Sequence, residues 1–127
     1  MTPRQIELVR ESWNHASPIA ETIVRLFYRR LFELSPKLRD RIQTSMCEQS
    51  DHLLEAVDDL VERIDTERAG LERADAAIVE AWTWSFEQEL GRHADQATCD
   101  AWQSAFSTRA GLFLQEVALG KVVLANA

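Results

Sequence analysis

The sequence predicts an all-α fold, and three observations carry that prediction. Apolar residues recur at spacings of three and four through the long stretches of the chain, as one face of a helix requires. Serine or threonine followed by proline punctuates the chain at Thr2-Pro3, Ser17-Pro18 and Ser35-Pro36, a pairing that ends one helix or opens another. No stretch alternates apolar and polar residues in the manner of a strand. At 127 residues the chain is expected to form a single domain, residues 1–127, that buries about two-thirds of its unfolded surface.

The elements follow in order. Thr2 is the expected N-cap of the first helix, with Pro3 at the first helical position and Gln5 reaching back. Ile6, Val9 and Trp13 form the stripe of that helix. Ser17-Pro18 is expected to repeat the device and open a central helix. There Ile19, Ala20, Ile23, Val24, Leu26, Phe27, Tyr28, Leu31, Phe32 and Leu34 span well over half the circumference, so neighbours should touch it on several sides. Glu21 and Arg30 fall in or beside that arc and are expected to snorkel or find partners. Ser35-Pro36 should end the helix and start a short turn to about Ile42.

From about Ser45 to Ile64, Leu53, Val57, Leu60 and Ile64 make a helical stripe, widened by Leu54 and Val61 and continued by Met46 and Gln49. Gln49 therefore points inward, where a polar side chain requires a partner. Asp51, Glu55, Asp58, Asp59 and Glu62 read as a solvated acidic face. The thirteen residues DTERAGLERADAA that follow are too short and too polar for another packed helix with its loops. They predict a turn at Ala69-Gly70 and a fresh helix capped by Asp75. That helix should present Val79, Trp82, Phe86 and Leu90 on one face, carry Trp84 on a flank, and stop at Gly91 in a left-handed cap. Trp13, Trp82 and Trp102 are expected in the core. Asp95 should cap a last helix whose core face is Cys99, Trp102, Phe106, Phe113 and Val117. The tail KVVLANA can extend that helix, fray, or dock on a second subunit. In all, five main helices plus a short one are expected.

Charge narrows the function classes. With 14 basic and 21 acidic residues the chain carries a formal net charge of -7, which disfavours nucleic acid and an anionic membrane face. The group Arg25, Arg29, Arg30, Arg39 and Arg41 is the local exception, and is expected to pair with acidic residues of neighbouring helices. No apolar run reaches the roughly eighteen residues of a membrane span, and no secretory leader is legible. Cys47 and Cys99 lie apart without metal-ligand spacing, which suits reduced thiols and a cytoplasmic setting. No nucleophile beside a histidine, phosphate loop or inward carboxylate pair is legible, so no enzymatic activity is expected.

The stretches TPRQIELVRESW, PIAETIVRLFYRRLFELSPKLR, Glu48-Gln49 and WSFEQELG at 84–91 resemble the bacterial single-domain haemoglobins and the globin domain of flavohaemoglobins. The resemblance covers the first half of the chain and much of the last third. It implies a globin-like helical fold in which Tyr28 and Gln49 match the tyrosine and glutamine that hydrogen-bond iron-bound oxygen. The family's axial histidine comes from a helix after the one at 45–64, yet His15, His52 and His93 all lie outside residues 64–78. The helix that normally carries that ligand is therefore expected to be missing or reduced, and Ile42 stands where the family has a haem-stacking phenylalanine.

The resulting expectation is a globin-like protein without standard haem ligation, acting as a non-catalytic sensor or protein-interaction module. A small apolar ligand could occupy a pocket lined by Tyr28, Gln49, Leu53 and Ile42, or the domain could form a homodimer through its last two helices. Tyr28 and Gln49 could equally be a structural pair, each the buried partner of the other. The alternative is a haem b protein that binds oxygen or nitric oxide with His52 on the iron, although His52 sits well off the apolar stripe. His15 and His93 are expected in solvent.

Overall fold

The computed structural model describes residues 1–42, 44–70 and 72–121. Seven α-helical segments follow one another: α1 Pro3–Ala16, α2 Ala20–Leu34, α3 Leu38–Arg41, α4 Met46–Arg63, α5 Ala76–Leu90, α6 Gln96–Phe106 and α7 Arg109–Ala118. Among the described residues there is no strand, only an isolated bridge between Ala69 and Thr108. The all-α class read from periodicity is the class observed. The tail beyond Lys121 lies outside the described residues.

Local chemistry sets most of the boundaries. Thr2 and Gln5 form the capping box, with Gln5 N–H donating to Thr2 Oγ1 and Thr2 N–H to Gln5 Oε1, both at 3.1 Å. Ser45 caps α4, Asp75 caps α5 and Asp95 caps α6, each accepting a backbone N–H of its first turn. Asp95 is held below the usual carboxylate range, first by the Thr98 backbone N–H and then by the Thr98 side chain.

Ser17 corrects the pattern. Its side chain caps nothing. The chain passes from α1 through the 3-10 turn Ser17–Ile19 into α2 with helical dihedrals at Ser17, so that no non-helical N-cap geometry arises there. Gly91 has the expected positive φ of 53°, but its ψ of -117° lies outside the left-handed helical basin, in a conformation that only glycine enters readily.

The core is assembled around an aromatic cluster. Trp82 on α5 touches Trp13 of α1, Phe27 of α2, and Trp102 and Phe106 of α6, with ring centroids 5.5–6.2 Å apart in stacked and edge-on pairs. Trp102 Nε1 donates to Ser12 Oγ and Trp13 Nε1 to Asp58 Oδ1, so two of the three core indoles keep their N–H satisfied. Helix α2 packs on α5 and α4, α1 on α6, and α4 on α7.

One core face is rotated from its expected position. On α5, Ile78, Ala81, Trp82, Ser85 and Phe86 are buried, while Val79 and Leu90 are only half-buried. Ala81 and Ser85 are small enough to let α2 approach, and the Ser85 hydroxyl is satisfied by the Trp82 carbonyl. Ile19, expected on the apolar arc of α2, lies in the 3-10 turn before that helix and is exposed.

The expected single last helix is two. Thr108 accepts the Gly111 N–H at 3.0 Å and donates to the Ala105 carbonyl at 2.7 Å, capping a new helix rather than continuing the old one. The break resets the phase, so Phe113 is 44% exposed and Leu114 takes the core position in its place. Cys99, expected in the core, is half-buried.

The stretch between α4 and α5 holds the 3-10 turn Ile64–Thr66 and no α-helix among the described residues. It is strapped to the α6–α7 corner instead: Arg109 N–H donates to the Arg68 carbonyl, Gly70 N–H to the Ser107 carbonyl, and Ala110 N–H to Glu67 Oε1 at 2.7 Å. These bonds satisfy backbone groups that an irregular segment would otherwise leave unpaired.

Candidate functional site

Tyr28 and Gln49 face each other because α2 and α4 cross with both residues on their inward rows. Both are 3% exposed. Gln49 Nε2 donates to Tyr28 Oη at 2.8 Å and to the Val117 carbonyl at 2.6 Å, with the Ala118 carbonyl a longer third contact at 3.3 Å. Tyr28 Oη in turn donates to the Ala118 carbonyl at 2.9 Å. Gln49 Oε1 accepts from Thr44 Oγ1 at 3.2 Å. A primary amide has two N–H donors and one carbonyl oxygen, and here every one is engaged. Burial raises the Tyr28 pKa well above the ordinary tyrosine value, against a smaller lowering by the Gln49 hydrogen bond.

The pair thus closes on the last carbonyls of α7, which a helix end leaves without intrahelical partners. Gly120 follows with φ +74°, a backbone conformation that side-chain-bearing residues rarely adopt, and sits at contact distance from Ile42 and Gln49 Oε1. Ile42 is half-buried beside that turn. Leu53, one turn after Gln49, is 1% exposed in the core. The four residues expected to line one pocket are therefore arranged as a hydrogen-bonded pair, an edge residue and a core residue. The Val117 and Ala118 carbonyls and Thr44 were missed by sequence reasoning, because backbone acceptors leave no signature in residue type.

Two clefts flank the pair. One, of about 920 Å³, lies between the ends of α2, α5 and α7 and is lined by Leu31, Thr44, Ile78 and Gly120 among others. The other, of about 630 Å³, runs along α2 and α4 and is bordered by the ring of Tyr28. Neither is lined by a histidine. His52 is half-buried on α4, with an enclosed Nδ1 that has no hydrogen-bond partner among the described residues. His15 and His93 are exposed and stack on each other, ring centroids 4.7 Å apart.

Haem tests the fit directly. An iron porphyrin held as in the resembling haemoglobins needs an imidazole on the metal and, opposite it, donors free to meet a bound ligand. The donors of Tyr28 and Gln49 are committed to protein acceptors, and no histidine opens on either cleft beside them. These residues do not fit histidine-ligated haem of that kind. Among the described residues, no cluster of three His, Cys, Asp or Glu side chains could hold a metal ion.

The arginine group departs from expectation in part. Arg30 pairs with Glu33 and Glu80 at 3.2 and 3.0 Å and lies over the Trp84 ring, 5.6 Å from its centre; these hydrogen bonds to the two carboxylates raise its pKa further. Arg25, Arg39 and Arg41 make no ion pair among the described residues. The acidic residues Asp51, Glu55, Asp58, Asp59 and Glu62 of α4 are exposed, as expected of a solvated face. No helix of the described residues is long and apolar enough to cross a membrane.

No protein-family model and no curated protein matches this chain.

Proposed function

We propose that this chain is a globin-like helical domain that has given up standard haem ligation and works as a non-catalytic, cytoplasmic sensor or interaction module. The observation that carries this reading is the engagement of Tyr28 and Gln49. The two side chains that in the resembling haemoglobins face iron-bound oxygen are here bonded to each other and to the carbonyls of Val117 and Ala118. The segment where the axial histidine would stand is a short strap on the α6–α7 corner. A small apolar ligand is the natural effector, since the cleft beside Tyr28 has a largely apolar floor. Phe113, exposed on α7, is the side chain on which a homodimer through the last two helices would turn.

The test is expression with haem supplied, followed by the visible spectrum. The reading expects no stoichiometric Soret band. A sharp band at one haem per chain sinks it.

A second reading has one observation in its favour, the unpartnered Nδ1 of His52. On that reading the chain is an atypical haem b protein that binds oxygen or nitric oxide, and His52→Ala abolishes the Soret band. A band that persists unchanged in His52→Ala excludes His52 as the ligand.

A further inference from the structure

The cleft of about 630 Å³ between α2 and α4 falls within the roughly 300–1,000 Å³ of small-molecule sites. Its α2 wall is the row Arg25, Tyr28, Arg29 and Phe32; its α4 wall is the row Cys47, Ser50, Asp51 and Leu54. Both rows have the spacing of a single helix face, so the cleft is a straight trough along the crossing. The floor is apolar. Tyr28 is buried, and Phe32, Met46 and Leu54 are half-buried along it.

The rim differs in kind from the floor. Arg25, Arg29 and Arg39 stand exposed on it. Arg25 and Arg39 have no ion pair among the described residues, and Arg29 reaches Glu33 only at 3.8 Å. The Arg39 guanidinium lies 5.7 Å from the centre of the Phe32 ring, which holds it at the mouth of the trough. Glu21 and Asp51 also line the cleft but pair with none of these arginines. Three guanidinium groups therefore stand against two carboxylates, in a chain whose net charge is -7. A local positive rim over an apolar trough complements a molecule with an alkyl body and one anionic head.

We infer that this trough binds a free medium-chain alkyl monocarboxylate, its carboxylate among Arg25, Arg29 and Arg39 and its chain along Tyr28, Phe32, Met46 and Leu54. Other occupants fit less well. The overall negative charge repels an anionic bilayer, so the source is a monomer in solution rather than a membrane lipid. An extended acidic peptide would need backbone partners along the walls, and both walls are helices whose backbone groups bond internally. Tyr28 also supplies an output. Tyr28 borders the trough and its hydroxyl holds the Ala118 carbonyl, so a chain lying against it acts on the residue that fastens the end of α7. The coupling rests on the sensor reading above; the binding does not.

Isothermal titration with decanoate and with uncharged decanol tests the binding. The inference expects one decanoate per chain, decanol about tenfold weaker, and an Arg25→Gln/Arg29→Gln/Arg39→Gln variant that loses about tenfold for decanoate while keeping its affinity for decanol. These arginines are exposed, and circular dichroism verifies that the variant is folded. Bound decanoate should also slow alkylation of the exposed Cys47 on the α4 wall. Equal affinity for acid and alcohol, an unchanged triple variant, or uptake onto phosphatidylglycerol vesicles without monomer binding overturns it. Hydrogen exchange at Leu119, Gly120 and Lys121 separates the two claims. Decanoate should alter it in the native chain and not in Tyr28→Phe. Stoichiometric binding with no change there overturns the coupling alone, whereas a Soret band with haem sinks the haem-free reading and leaves the trough standing.

Discussion

Gln49 donates to Tyr28 across the α2–α4 crossing at 2.8 Å, and the Tyr28 hydroxyl passes the chain of hydrogen bonds on to the Ala118 carbonyl at 2.9 Å. Two polar side chains distant in sequence thereby hold the end of a third helix. Their stability contribution should be cooperative, since each is the other's buried partner. Tyr28→Phe should cost about 1–3 kcal/mol, because one Gln49 N–H loses its acceptor and the Ala118 carbonyl keeps only the longer 3.3 Å contact from Gln49. Gln49→Leu removes the donor to the Tyr28 hydroxyl and to the Val117 carbonyl and the acceptor of Thr44, and should cost a similar amount. In a double-mutant cycle followed by urea denaturation, a coupling energy near zero would show that the pair is not a unit.

Tyr28 is the only tyrosine in the chain, so its ionisation can be read by the ultraviolet absorbance of tyrosinate. Its folded pKa lies above the ordinary value of 10 because burial disfavours the phenolate. A raised folded pKa means that the stabilisation is complete below pH 10 and is lost as pH rises beyond it. Native protein should therefore show no tyrosinate at pH 10, and alkaline unfolding should bring the signal and the loss of helix together. A titration midpoint at pH 10 in folded protein would contradict the burial. Tyr28→Phe should flatten the alkaline limb of stability against pH.

The two cysteines should react at very different rates. Cys99 is half-buried, and its thiol is pushed up to about 11, first by desolvation and then by the nearby Glu87 carboxylate, whose oxygen lies 3.6 Å from Sγ. Only the thiolate attacks an alkylating agent. At about pH 8 roughly one Cys99 in a thousand is ionised, so iodoacetamide should modify the exposed Cys47 first, with Cys99 following only at higher pH or on unfolding. Peptide mass spectrometry over time checks this order; equal rates would refute it.

Phe113 and Leu114 test the corner between α6 and α7. Phe113→Ser should change stability by no more than about 0.5 kcal/mol, because the ring is 44% exposed. Leu114→Ala should cost about 2–5 kcal/mol, because Leu114 is 1% exposed in the core. The reverse ranking in thermal or urea denaturation would restore a single unbroken last helix. If the last two helices also form a homodimer, Phe113→Ser should shift light-scattering mass from dimer to monomer without loss of fold.

Local rules of the chain determined the helical class, the caps at Thr2, Asp75 and Asp95, the inward turn of Gln49, and the absence of an α-helix between Ile64 and Ala76 among the described residues. Each depends on residues within a turn or two of one another, where periodicity and capping preference speak directly. Only the tertiary structure decided the rest. It replaced a cap at Ser17 with a continuous passage and broke the last helix at Thr108, because neighbouring chain settles competition between equally permitted local geometries. It also assigned the Tyr28 and Gln49 donors to Val117 and Ala118. Those acceptors are backbone carbonyls about seventy to ninety residues away, identical in kind at every position, and only packing brings the right two within reach.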